Sequence, residues 1–460
     1  MPFFVFQEEM MNIPGKIFRL KPPQILVLGF ASIILIGALL LMLPISSADG
    51  YSMPFIDAVF TATSATCVTG LVVVDTETHF TVFGKVVIIL LIQVGGLGFM
   101  SMATLIAFLR KKRISLRERL VLQEALNQSS MEGIVRLFRK VLVYSLTIEG
   151  IGAALFTIRW SFDLGFPKAL LFGIFHGISF FNNAGFDLFG SISGPFSSLT
   201  SYKNDFIINF TSMALIVIGG IGFIVMSDIM EYKKTRRLSL HTKVVLSATA
   251  FLIVFGALVI FIFEYTNQAT MGQQGFFGKV LSAFFQSVTP RTAGANTLDI
   301  SSLRQATQFF IIILMFIGAS PGSTGGGIKT TTFMTIIGAM IAMVRGKEDI
   351  VFFRYRLGKD RILKAITLSM ICLFLVIFVS MVLSTTESQQ FLKILFEVTS
   401  AFGTVGLTMG ITPYLTIFGK IMISLTMFAG RLGPLTLAYA LGPKPDKELY
   451  RYPEGKITIG

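Results

Sequence analysis

Apolar stretches long enough to cross a lipid bilayer recur from one end of this sequence to the other. The run ILVLGFASIILIGALLLMLP, from Ile25 to Pro44, is one of them, and 18 or more consecutive apolar residues are the pattern of a spanning helix. Of the 460 residues, 53% are hydrophobic and 14% are charged, so no large soluble domain fits between the runs. The chain is therefore predicted to be an all-α polytopic membrane protein.

The basic residues cluster in a few segments of the chain. The formal net charge is +14, and 28 of the 39 Lys and Arg lie before the first span, in 110–140, 233–243 and 345–364, or after residue 441. Under the positive-inside rule these clusters mark cytoplasmic segments, so both termini are predicted to be cytoplasmic. The charge then reflects topology, and no nucleic-acid partner is predicted. Cys67 and Cys372 have no spacing that indicates a disulfide or a metal site, and no cofactor is predicted on the chain.

A pattern of about 110 residues occurs four times. Each copy holds a short apolar segment that ends in a glycine, with a phenylalanine ten positions before it. The segments are FIDAVFTATSATCVTGL, ALLFGIFHGISFFNNAGF, FFGKVLSAFFQSVTPRTAGA and FLKILFEVTSAFGTVGL, aligned on Gly70, Gly185, Gly294 and Gly406. Their apolar parts are too short to cross a bilayer, which is typical of re-entrant pore helices. We therefore predict four span, pore-helix, span repeats with pseudo-fourfold symmetry around a central pore.

The same pattern divides the chain. The predicted repeats are 23–109, 140–232, 243–345 and 361–440. The predicted cytoplasmic segments are the N-terminal residues 1–22, the linkers 110–139, 233–242 and 346–360, and the tail 441–460. Within the first linker, RKKRISLRERLVLQEAL has the pattern of an amphipathic helix, which fits either a docking surface or a solvated basic face.

The turns that end the pore helices have no carboxylate. Glycine permits positive φ, which lets successive backbone carbonyls face one way, and rings of carbonyls replace the hydration shell of K⁺ in potassium filters. The alternative is that each glycine only caps a helix. The predicted filter residues, which would bind potassium through backbone carbonyls, are Cys67, Val68, Thr69, Gly70, Asn182, Asn183, Ala184, Gly185, Arg291, Thr292, Ala293, Gly294, Gly403, Thr404, Val405 and Gly406.

The second span of the third repeat contains GASPGSTGGGIKT, from Gly318 to Thr330. Glycines and a proline at this density do not sustain a helix, so we predict a broken span that lines a cavity and acts as a gate. A phosphate loop is excluded because Ile328 separates glycine from lysine, whereas a packed, static break stays an alternative. The predicted gate residues are Gly318, Ala319, Ser320, Pro321, Gly322, Ser323, Thr324, Gly325, Gly326, Gly327, Ile328 and Lys329, together with Arg431. The glycine clusters QVGGLGF, VIGGIGF and FAGRLGP of the other repeats are attributed mainly to helix packing.

Arg431 is a charge inside the apolar run IMISLTMFAGRLGPLTLAYA. A charge at the bilayer centre costs at least ~2.5–3.5 kcal/mol on insertion scales, so such a residue is a functional candidate. The repeat alignment places Arg431 where the first copy has Gly96. It is predicted to face the pore below the filter, although pairing with a buried acid such as Glu149 or Asp228 is an alternative.

The four repeats, their filter glycines, the broken third-repeat span and Arg431 together resemble the Trk/Ktr/HKT potassium transporter superfamily, and are most similar to bacterial Ktr membrane subunits. The resemblance covers residues 20 to about 440. It implies a homodimer in the bacterial cytoplasmic membrane that imports K⁺, with Na⁺ as an activating ion. It also implies a KtrA-like cytoplasmic ring of nucleotide-binding regulatory subunits, an intramembrane gating loop at Gly318 to Lys329 and a positive barrier at Arg431. Gly70 implies potassium because a serine there accompanies sodium transport in the family.

Other classes fit less well. His79, His176 and His241 form no catalytic pattern, so no enzyme is predicted. A secondary cation transporter with broken helices is the serious alternative, and such transporters usually have two inverted halves rather than four repeats.

Overall fold

The computed structural model describes residues 22–98 and 134–441, together with Pro453. The amphipathic segment 110–126, most of the first predicted linker and nearly all of the tail lie outside these residues. Within them, a long helix followed by two shorter helices occurs four times. We call these three helices of each repeat the first span, the pore helix and the second span.

The first spans are Pro22–Leu41, Ile134–Leu164, Leu240–Glu264 and Lys359–Thr386. The pore helices are Phe55–Thr66, Phe166–Phe181, Phe276–Val288 and Phe391–Gly403. The second spans are Val82–Leu97, Phe206–Gly220, Gln305–Phe316 and Ile417–Leu432. Further helices after the last three second spans are Phe223–Thr235, Thr330–Val344 and Pro434–Leu441. The connections hold one-turn helices at Thr76–His79, Gly190–Ser193, Pro44–Ser46, Thr200–Tyr202, Ile300–Ser302 and Thr412–Tyr414.

In the described part of the chain, four helices are by themselves long and apolar enough to cross a membrane, and they are the first spans of the four repeats. Between 28% and 39% of each apolar window is buried, so most of its side chains face outward. Ile36 and Phe374, for example, are 59% and 71% exposed. Large continuous apolar surfaces of this kind require a non-aqueous neighbour, which for helices of this length is the lipid bilayer.

The second spans of repeats 2 and 4 are interrupted as well as that of repeat 3, and the described part of the repeat 1 second span ends at Gly98. The four described helices contain 16, 15, 12 and 16 residues, fewer than a bilayer requires. In repeats 1, 2 and 4 the second span ends at or just before equivalent glycines, Gly98, Gly222 and Gly433, with φ of 85°, 96° and 84°. Only glycine adopts this backbone without strain, and in repeat 2 the chain bends by 98° there. The glycine clusters therefore contain helix terminators as well as packing residues.

The second spans begin at side-chain caps. Thr81, Asp205 and Thr416 each accept a hydrogen bond from a backbone N–H three residues on, at 3.0 to 3.3 Å. In repeat 3 the carboxylate of Glu264 accepts from the backbone N–H of Arg304 at 2.9 Å instead. These caps satisfy N–H groups that the first turn of a helix leaves free.

Each second span of repeats 1, 2 and 4 touches its own pore helix through a glycine. A methyl group on this glycine would collide with a carbonyl oxygen four residues before the filter glycine, so no larger residue fits. The pairs are Gly95 with Thr66, Gly219 with Phe181, and Gly430 with Phe402. Backbone contact of this kind fixes the end of the pore helix, and therefore the turn that follows it.

A small hairpin departs from the all-α prediction. Strands β1 (Val351–Phe352) and β2 (Tyr355–Arg356) pair antiparallel within the predicted linker 346–360. Phe353 and Arg354 at its turn have φ of 48° and 70°, as a two-residue type I′ turn requires. Without glycine or asparagine at the turn, the sequence carries no strong hairpin signal.

Candidate functional site

The four predicted filter turns share one backbone conformation at two positions. The glycines have positive φ, between 67° and 92°. The residue two positions earlier also has positive φ although it is not glycine, which is uncommon and strained. These residues are Val68 at 58°, Asn183 at 60°, Thr292 at 77° and Thr404 at 48°. Strain repeated at four equivalent positions indicates a constraint that the surrounding structure enforces.

The filter glycines contact one another around a closed ring. A methyl group on each would collide with the carbonyl oxygen that precedes the glycine of the next repeat. The pairs are Gly70 with the Ala184 oxygen, Gly185 with the Ala293 oxygen, Gly294 with the Val405 oxygen, and Gly406 with the Thr69 oxygen. The same methyl groups would lie 3.0–3.3 Å from the next glycine Cα. The order runs through repeats 1, 2, 3 and 4 and back to 1.

Hydrogen bonds from the pore helices hold these turns. Ser64 and Ser400 occupy equivalent positions, and the hydroxyl of each accepts from the N–H of its filter glycine at 3.1 Å. In repeats 1, 2 and 4 the residue before the glycine donates to the carbonyl of the equivalent serine at 2.7 to 2.8 Å. In repeat 3 the corresponding N–H, that of Ala293, donates to Thr289 at 2.9 Å, so this turn is built differently.

The first predicted filter position of each repeat lies among the surrounding helices. Cys67 and Asn182 are fully buried, and Arg291 is 6% exposed. The amide nitrogen of Asn182 donates to Gln93 and to Glu149 at 3.0 Å. The structure therefore engages these side chains behind the turns, whereas the backbone of the last two positions forms the ring.

The predicted gate loop, Gly318 to Lys329, lies against the filter turns of repeats 3 and 4. A methyl group on Gly325 would collide with the hydroxyl oxygen of Thr292, and one on Gly326 would lie 2.5 Å from that of Thr404. The N–H of Gly326 donates to the Thr404 hydroxyl at 3.0 Å. The loop is thus in contact with two of the four strained filter residues.

Repeat 2 supports the same loop through its broken second span. The N–H of Ser320 donates to the Gly220 carbonyl at 3.0 Å, and the Thr324 hydroxyl donates to the Gly219 carbonyl at 3.2 Å. The N–H of Phe223 donates to the Gly322 carbonyl at 2.8 Å, where Pro321 also lies against Gly222.

The loop also closes on itself. The N–H of Ala319 donates to the Gly326 carbonyl at 3.3 Å, and the Lys329 ammonium donates to the Gly325 carbonyl at 2.6 Å. The Ser323 hydroxyl donates to the Ser320 carbonyl at 2.7 Å. Gly327 has a φ of 67° and Ile328 is 5% exposed. The predicted gate residues from Gly318 to Lys329 therefore form one folded segment against the filter turns.

Arg431 connects this loop to repeat 1. Its guanidinium donates to the Thr324 carbonyl and to the carbonyls of Gly95 and Gly96, the last at 3.0 Å. No carboxylate of the described residues lies within ion-pair distance of Arg431. The acids considered as partners from sequence are engaged elsewhere, Glu149 by amides and Asp228 by Ser239 and Thr242.

Sequence reasoning named the residues at the second filter position but did not predict their positive φ. Val68, Asn183, Thr292 and Thr404 have no residue type in common, so alignment alone shows nothing at this column. Its position, always two before an aligned glycine, was the available signal.

A broken second span, four matching turns and an arginine held by backbone carbonyls form a distinctive combination. The family model described as "TrkH: Cation transport protein" matches residues 21–447. The chain belongs to the TrkH family. The resemblance inferred from the repeats is thereby confirmed.

Relatives within the TrkH family cover nearly the whole chain. The Ktr system potassium uptake protein B of Bacillus subtilis is 46% identical over 97% of this chain and 98% of its own length. The potassium/sodium uptake protein NtpJ of Enterococcus hirae is 42% identical over 96% of this chain and 98% of its own. The crystal structure of the potassium transporter TrkH from Vibrio parahaemolyticus has a TM-score of 0.74 at 18% identity, over 93% of this chain and 86% of that one. That structure shows the same fold.

Proposed function

We propose that this TrkH-family chain is the potassium-translocating membrane subunit of a Ktr-type uptake system. The closed ring of filter glycines carries the proposal, because the carbonyl oxygens of Thr69, Ala184, Ala293 and Val405 each lie against the filter glycine of a neighbouring repeat in cyclic order. Carbonyl oxygens arranged in this way replace the hydration shell of K⁺. Potassium is the substrate in this proposal, bound by the filter backbone.

Pseudo-fourfold symmetry is part of the proposal. Four turns in cyclic contact, each with the same pair of positive-φ residues, support a channel-like pore folded from one chain. A secondary transporter built from two inverted halves would not require cyclic contact among four equivalent glycines. The ring therefore favours the pore over the alternative.

The loop from Gly318 to Lys329 is proposed to be the gate. Its contacts with Thr292 and Thr404 support a position next to the filter. Its hydrogen bonds reach repeat 2 through Gly219 and repeat 4 through Thr404 and Arg431, and Arg431 in turn bonds to Gly96 of repeat 1. Arg431 adds an electrostatic barrier. A positive charge about 8 Å from a permeating cation costs about 2 kcal/mol at an effective dielectric constant near 20, which slows passage about 30-fold.

The assembly is proposed from the relatives. The names of the Bacillus subtilis relatives place those proteins in a Ktr system, which supports a partner subunit, proposed as a KtrA-like regulatory ring. A homodimer in the bacterial cytoplasmic membrane is proposed together with it. The basic clusters support cytoplasmic termini on the side where such a ring would dock. Activation by Na⁺ is included in the proposal without a site assigned to it.

The test is ⁸⁶Rb⁺ uptake into proteoliposomes that contain the purified protein, with K⁺, Na⁺ and Li⁺ as competitors. We expect K⁺ to compete at least tenfold better than Na⁺, and Arg431→Gln to raise uptake. Equal competition by Na⁺ rules out the potassium filter. Unchanged kinetics in Arg431→Gln removes the barrier role of this arginine and leaves the filter proposal standing.

A further inference from the structure

Arg291 carries a buried charge that the described residues do not neutralise. It lies three residues before the filter glycine of repeat 3 and is 6% exposed. One terminal nitrogen donates to the Thr249 hydroxyl at 3.3 Å, and Nε is buried without any partner. Among the residues that the structure describes, no carboxylate lies within ion-pair distance of it.

The equivalent residue of repeat 2 is Asn182, whose side-chain amide nitrogen has its hydrogen-bond partners. The amide nitrogen of Asn182 has three acceptors, including Gln93 and Glu149. Arg291 borders a small cavity instead, which lies against the second span of repeat 2. The cavity is lined by Ile216, Val217, Gly220, Val288 and Arg291. Asn182 therefore lies in a polar network at this position of repeat 2. At the equivalent position of repeat 3, the Arg291 cation lies beside the small cavity.

A charge buried in this way requires a counter-charge. Removal of an ion from water costs several kcal/mol unless an opposite charge or several hydrogen bonds replace the lost hydration. One hydrogen bond at 3.3 Å falls far short for a guanidinium with five N–H donors. An anion would supply the missing counter-charge, and the small, mostly apolar lining suits a monatomic one.

We propose that the cavity binds a single halide ion, held by the Arg291 guanidinium, which the Thr249 hydroxyl contacts at its side. The hydroxyl already accepts from Arg291 and keeps its own hydrogen free to donate. Chloride has this chemistry at cellular concentrations. Its negative charge offsets the positive potential that Arg291 places behind the filter.

Bromide gives a direct test, since its anomalous scattering locates it in crystals of the full-length protein. We expect one anomalous peak within hydrogen-bond distance of the Arg291 guanidinium, and no peak in Arg291→Gln. Absence of the peak in the wild-type protein at saturating bromide overturns the proposal. A peak that persists in Arg291→Gln does so too, because it marks an adventitious ion only.

A second measurement does not depend on Arg291→Gln being well folded. Chloride should raise the Tm of the detergent-solubilised wild-type protein above its value in gluconate at equal ionic strength. Thr249→Val keeps the charge and removes the hydroxyl, and should weaken the chloride dependence of Tm about tenfold in concentration. Equal Tm values in chloride and gluconate for the wild-type protein contradict the proposal.

The consequence for transport rests on the proposed potassium pore. With the halide bound, the apparent KM for ⁸⁶Rb⁺ should be about threefold lower in chloride than in gluconate, and Arg291→Gln should abolish the difference. The diffraction and Tm measurements require no transport, so failure of the pore proposal and failure of the halide site are distinguishable.

Discussion

The ring of filter turns and the loop packed against it differ in how the four repeats contribute. Each repeat supplies one turn to the ring, with positive φ at the same two positions. The loop comes from repeat 3 alone. There, residues 317–329 separate two helices, whereas one or two residues do so in repeats 2 and 4. The four equivalent filter turns thus provide the proposed ion selectivity. The loop from repeat 3 provides the proposed gate.

The largest expected effect is on the ring. Gly70→Ser should reduce the preference for K⁺ over Na⁺ at least tenfold, because Gly70 has a φ of 92° and any Cβ collides with the Ala184 carbonyl. Competition by Na⁺ in ⁸⁶Rb⁺ uptake measures the effect. Gly410→Ser is the matched control, since Gly410 has a φ of 83° with no atom within 4 Å of the added Cβ. Equal selectivity in the two variants shows that the ring does not select ions.

The next expected effect is on the loop. Gly326→Ala places a methyl group 2.5 Å from the Thr404 hydroxyl and should displace the loop from the filter. We expect ⁸⁶Rb⁺ uptake without any regulatory partner to rise about five- to tenfold with unchanged selectivity, for a displacement of about 1–1.4 kcal/mol. Gly275→Ala is the control, because its Cβ meets no atom within 4 Å. Lower uptake in Gly326→Ala alone identifies the loop as part of the open pathway instead of a gate.

A smaller effect is expected where the two regions touch. Thr404→Val removes the hydroxyl that accepts from the Gly326 N–H, a hydrogen bond of about 0.5–1.5 kcal/mol. Uptake without a regulatory partner should rise about two- to tenfold. Thr404→Ser retains the hydroxyl and should resemble the wild-type protein. Identical rates for the valine and serine variants mean that this bond does not hold the loop.

The smallest expected effect is at the outer ends of repeats 1 and 4. Lys420 and Asp57 form an ion pair at 2.6 Å, with side chains 15% and 19% exposed, that joins a second span to a pore helix. Asp57→Asn should lower the stability by about 1 kcal/mol or less, seen as a small decrease in Tm, and leave selectivity unchanged. Asp349→Asn, in an ion pair that is far more exposed, should leave both unchanged. Altered selectivity in Asp57→Asn places this pair among the determinants of the filter.

The sequence determined the architecture because the membrane restricts what the chain can do. Long apolar runs specify spanning helices, and the repeated glycine with a phenylalanine ten residues before it located all four pore helices. It also located the interrupted span of repeat 3, since glycine-rich segments cannot continue a helix. These features depend on local composition and spacing, which a sequence displays directly.

Only the tertiary structure decided which residues meet. The strained backbones of Val68, Asn183, Thr292 and Thr404 are imposed by contacts between repeats, so no local propensity reveals them. The partners of Arg431 are backbone carbonyls, which are present at every residue and therefore leave no pattern in a sequence. For the same reason the helix ends at Gly98, Gly222 and Gly433 looked like packing motifs. A glycine that ends a helix and one that admits a neighbouring backbone are the same letter, and only their surroundings distinguish them.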